Sequence, residues 1–208
     1  MSSTKTELET APIDIGSNPP RICEMPSLDD LEEGTDTNQF LNLVFRGAGP
    51  SDPKARALWR YYSRRVDAML CEYNRARELM QLFVEEGNNA FTCLFRCSEH
   101  LESCLTSMVR AIHLAQRMRN HRESPNIPKK VDALNDAKNK VVREIRNEIE
   151  HAENSDVVVG EATILVAFSE GMELGSYRVR YDELAHFIVE LYAIATSLED
   201  YRDEVRNN

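Results

Sequence analysis

The chain has 208 residues, 42% hydrophobic and 29% charged, with a formal net charge of −10. That balance belongs to a soluble globular protein with apolar side chains enough for one sizeable core and a tail. No apolar run approaches the roughly 20 residues that cross a bilayer. The N-terminus, carrying Glu7, Glu9 and Asp14, lacks the apolar segment of a secretory signal, so a cytoplasmic protein with no membrane partner is expected.

Residues 1–40 hold nine acids and two bases, with Pro19, Pro20 and Pro26 interrupting any regular pattern. Such a stretch buries too little apolar surface to order itself. Residues 1–52 are therefore expected to be a disordered acidic tail and linker, with Ile22, Met25 and Leu28 available to dock on a partner. The punctuation at 47–53 (GAGPSDP) closes it, and Asp52 with Pro53 has the pattern of a helix start.

Residues 53–208 read as one helical domain. Tyr62, Val66, Met69, Tyr73, Ala76, Met80 and Phe83 recur at alternating spacings of four and three, which predicts a long amphipathic helix over 54–86. Arg56, Arg60 and Arg64 form a stripe away from that seam, an ordinary solvated face or an extension of a phosphate track. After the turn at Gly87-Asn88-Asn89 the rhythm resumes at Phe91, Leu94, Ser98, Leu101, Leu105, Met108, Ile112 and Ala115, predicting a second helix over 90–120. Two long helices joined by a short turn form an antiparallel hairpin. Pro125 and Pro128 mark a loop, and a third helix is expected over 129–151, with Val131, Leu134, Val141, Ile145 and Ile149 toward the core. The period then shortens. Residues 162–168 (ATILVAF) and 176–181 (SYRVRY), separated by Gly171 and Gly175, predict a β-hairpin. Leu184, Phe187, Leu191, Ile194, Leu198 and Tyr201 carry a fourth helix from about 182. The expected fold class is all-α, a four-helix bundle with a small β-hairpin between the third and fourth main helices.

Cys93, Cys97, His100 and Cys104 share one helix face. Their span rises about 16 Å, too far for a single ion, so they read as a seam of small packed side chains. An odd count of five cysteines suits reduced thiols. With no glycine-rich phosphate loop, no cofactor and no metal site is expected.

Charge points to one region. Residues 110–146 hold ten bases and four acids, whereas 147–208 hold fourteen acids and four bases. A basic stretch leading into Arg146 suits a phosphate-bearing partner, while the acidic C-terminal part argues against broad, non-specific nucleic-acid binding. At the end of the third helix stands Arg146-Asn147-Glu148-Ile149-Glu150-His151. A guanidinium grips phosphate in a planar fork, and an imidazole exchanges protons near neutral pH. A second Arg-to-His spacing, Arg180 to His186, lacks the asparagine.

The Arg146-Asn147-x3-His151 pattern at a helix end, within this helix order, resembles the HEPN superfamily of helical-bundle domains. The resemblance covers roughly residues 54–205 in helix order and only Arg146, Asn147 and His151 by identity. It implies a metal-independent endoribonuclease of toxin or host-defence type, with those three residues catalytic and the site completed across a homodimer. RNA and a cognate antitoxin or regulatory protein are the partners it implies. The other expectation is a non-catalytic module that keeps the fold and binds a partner protein or nucleic acid. On an unbroken helix Arg146 and His151 diverge by about 140°. One phosphate can meet both only if the helix loosens near Glu150 or if two chains contribute.

Overall fold

The computed structural model describes residues 20–34, 37, 41, 49–87, 91–121, 127–154 and 165–199, with backbone only for 152–154 and 199. They are mostly helical, with four main helices and a small three-stranded antiparallel sheet. None of the described helices is long and apolar enough to cross a membrane.

Helix α1 spans Pro53–Glu86 and α2 spans Phe91–Arg119. Asp52 starts α1 by accepting the amides of Lys54 and Ala55, each at 2.8 Å, with Pro53 in the first turn. Gly87, at φ 66°, ends it in a conformation that disfavours a side chain. The two helices are antiparallel. Phe83 and Phe91 meet edge-to-face at 5.8 Å where α1 ends and α2 begins, while Lys54 and His121 share a cleft at the opposite end. The seven apolar positions of the α1 seam are buried, as the spacing requires. Tyr62 adds a directional tie. Its hydroxyl donates to the Leu191 carbonyl at 2.7 Å, joining α1 to the last helix inside the core.

The third helix departs from its expected span. A 3-10 turn, η1, occupies Asp132–Leu134, and helix α3 begins only at Lys140 and runs to Asn154. Local side chains compete with the helix here. The Asn135 side chain accepts the Ala137 amide, and Asn139, buried, donates to the Ala133 carbonyl at 2.8 Å. Val142, rather than Val141, then joins Ile145 and Ile149 in the core, because α3 is set by its packing and not by the residues before it.

The expected hairpin is also larger. Strands β1 (Val166–Ala167), β2 (Gly171–Leu174) and β3 (Tyr177–Arg180) form an antiparallel meander in that order. Gly171–Leu174, read from its glycines as a connection, is the central strand. Met172 pairs with Val179 and Leu174 with Tyr177, and a two-residue turn at Gly175-Ser176, with Gly175 at φ 59°, closes the second hairpin. Gly171 is required by contact, since a Cβ there would overlap the Val179 carbonyl oxygen. Residues 162–164 of the expected first strand, and Tyr201 of the last helix, lie outside the described residues. Helix α4 spans Tyr181–Glu199 and buries Leu184, Phe187, Leu191, Ile194 and Leu198.

Within the stretch expected to be a tail, residues 20–34 lie against the helices. Met25 and Leu28 are buried in the core of their own chain, while Ile22 is exposed. Tyr73 donates its hydroxyl to the Pro26 carbonyl, Arg77 donates to the Met25 carbonyl, and the Glu24 amide reaches the Ser169 carbonyl. The strap thus packs against α1. Residues 1–19 lie outside the described residues.

Candidate functional site

Helix α3 carries Arg146, Asn147 and His151 on 15 residues whose apolar positions, Val142, Ile145 and Ile149, point inward. Packing therefore fixes the orientation of the three polar residues. Arg146 is adjacent to the buried face, and its side chain is only 18% exposed. Its guanidinium forms an ion pair with Glu150 one turn on, and Nη1 donates to Asn147 Oδ1 at 3.4 Å. Its Nε is buried, with no acceptor among the described residues. An unmet buried donor costs on the order of 1–3 kcal/mol. Asn147 and His151 are exposed.

The helix stays helical through Asn154. Of the two ways to join Arg146 with His151, loosening of the helix near Glu150 is thus not realised. The two side chains leave α3 about 140° apart, so a single copy does not bring them to one phosphate.

The structure brings a different histidine to the arginine. His113 on α2 is close enough to Arg143 and Arg146 for their charges to act on it. Burial first, and then these two guanidinium groups, hold its pKa below the usual histidine value. In the sequence the signal for His113 is its place in the basic stretch. A histidine with a lowered pKa binds its proton more readily unfolded than folded, so acidification through about pH 6.5 subtracts stability. The expected result in a histidine-resolved NMR titration is a His113 midpoint below that of a free peptide. Arg146→Met moves it upward; an unchanged midpoint would show that the two groups do not interact.

The remaining histidines have other neighbours. His100 contacts Glu72 across the α1–α2 hairpin, and His121 lies 3.6 Å from Asp52. His186 lies between Asp132 and Glu190. Of the cysteine seam, Cys97 and Cys104 are buried free thiols. Burial pushes the Cys97 pKa up to about 12 and that of Cys104 higher still, as inert packed thiols require.

The chain matches no family model, no curated protein and no solved structure. What the site can do is therefore argued from its own residues.

The arginine stripe of α1 divides between two roles. Arg56 donates to the Pro50 carbonyl and so holds the helix start. Arg60 and Arg64 flank the exposed Tyr61, which also borders a cleft of about 520 Å³ lined by Lys54, Leu58, Leu114 and Arg117. This cleft lies between the start of α1 and the end of α2, and neither Arg146 nor His151 lines it.

Proposed function

We propose that this chain is a HEPN-type four-helix bundle and a metal-independent endoribonuclease, acting as a homodimer through Arg146, Asn147 and His151. The carrying observation is the state of the motif on α3. Arg146 is half-buried and steadied by Asn147 and Glu150, while His151 is exposed on the same rigid helix. A guanidinium held in place can stabilise the charge that develops on a phosphorane without reorganising. An exposed imidazole can take the proton from a ribose 2′-hydroxyl, or return one to the leaving oxygen. The expected products carry a cyclic phosphate and a free 5′-hydroxyl.

The divergence of Arg146 and His151 supports the homodimer, because a two-fold axis close to α3 can set the arginine of one chain beside the histidine of its partner. Light scattering at micromolar protein should then give twice the mass of one chain; a monomer would remove the composite site. The direct test is cleavage of varied single-stranded RNA in excess chelator. Inert wild-type protein would favour the second reading, a non-catalytic module for a partner protein or nucleic acid. One observation favours that reading: Glu150 already neutralises Arg146, and Glu148 adds a second negative charge beside it.

A further inference from the structure

A second polar cluster stands apart from α3, where η1 meets α4. Asp132, His186 and Glu190 each point one ligand atom into a common space, all within 4.8 Å of one another. His186 Nε2 lies 3.7 Å from Asp132 Oδ2 and 3.6 Å from Glu190 Oε1. These separations are longer than hydrogen bonds and within ion-pair reach. They also lie close to the spacing of a metal's ligands, since nitrogen and oxygen ligands at about 2.0–2.2 Å in a tetrahedron stand about 3.3–3.6 Å apart.

The ligands are also held from behind. Glu190 accepts the Asp132 amide on Oε1 at 3.1 Å and the Ala133 amide on Oε2 at 2.7 Å. A carboxylate oxygen has a second lone pair, so both bonds persist while Oε1 faces an ion. Histidine and glutamate four apart on α4 occupy the same helix face, and η1 presents Asp132 to that face. Asp132 is bonded to the Lys138 ammonium. A cation is therefore already drawn to the carboxylates, and it is the group that a metal must displace.

We propose that Asp132, His186 and Glu190 bind one zinc-type divalent cation, which ties η1 to α4. Imidazole with two carboxylates suits Zn²⁺, and the exposed side leaves room for water as a fourth ligand. The proposal does not rest on the ribonuclease reading, and the ion takes no part in RNA cleavage.

The test titrates the full chain, thiols reduced, with Zn²⁺ by calorimetry and with Co²⁺ by visible absorption near neutral pH. One ion per chain is expected, with cobalt bands of a nitrogen–oxygen site and a melting temperature that rises with Zn²⁺. His186→Ala, at a side chain 54% exposed, should keep the fold and weaken binding at least about tenfold. Lys138→Ala should tighten it about fivefold, by removing one competing surface charge. No saturable binding overturns the proposal. So does a thiolate-to-cobalt band that His186→Ala leaves unchanged, which assigns the ion to the cysteines. Unchanged or weaker binding in Lys138→Ala overturns it as well.

Discussion

His151→Ala is expected to lower RNA cleavage by roughly 10²- to 10⁴-fold, the usual worth of a positioned proton-transfer group. The loss falls on the rate, since His151 is exposed and outside the core, and the melting temperature should not move. Arg146→Lys is the sharper companion variant. Lysine keeps the charge but not the planar fork, so it should also lose most activity. The composite site adds a stricter requirement. If each site joins the arginine of one chain to the histidine of its partner, then inactive Arg146→Ala and inactive His151→Ala chains, mixed and reassembled, should regain activity. In such a mixed dimer one site has lost both groups and the other keeps both. Failure to recover, with mixed dimers shown to form, would place both groups in one chain. Equal cleavage by wild type and His151→Ala would end the mechanism.

The largest stability effect is expected where α1 ends and α2 begins. Phe83→Ala should destabilise the chain by about 3–5 kcal/mol, measured by denaturant unfolding. Phe83 is 1% exposed and packs edge-to-face on Phe91, so its removal leaves a cavity where the two longest helices are joined. Phe95 is the internal control. It lies 6.1 Å from the same Phe91 ring yet is 50% exposed, so Phe95→Ala should change stability by no more than about 0.5 kcal/mol. Equal effects would mean that burial does not set the energetics of this hairpin.

Much of the frame was legible along the chain because the forces behind it are local and periodic. The four–three rhythm from Tyr62 to Phe83 needs only a helix and a partner surface, and all seven positions are buried. Asp52-Pro53 marked the start of α1 because capping uses residues adjacent in sequence. Alternation places Tyr177, Val179 and Tyr181 on one face and Arg178 and Arg180 on the other; Val179 and Tyr181 are buried, Tyr177 is half-buried and both arginines are exposed. The motif Arg146-Asn147-x3-His151 was likewise visible, as three residue types at a spacing on one helix.

Other features depend on groups far apart in sequence. Residues 20–34 read as tail because their apolar side chains are few; the α1 surface offered by Tyr73 and Arg77 decides that Met25 and Leu28 are buried. The start of α3 moved to Lys140 because Glu190, from α4, caps η1 and Asn139 turns inward, choices that helix propensity at 129–139 does not contain. Gly171 read as a connection, whereas cross-strand pairing with Arg180 makes it part of β2. The neighbours of the chemical groups are tertiary too: His113 within reach of the Arg146 charge, and Asp132 beside His186 and Glu190. By itself the sequence determined most of the residues that face inward along α1, α2 and α4, because side-chain direction follows from backbone period. Only the tertiary structure decided which polar groups meet, because a contact between distant residues is set by how whole elements pack and not by the period of either one.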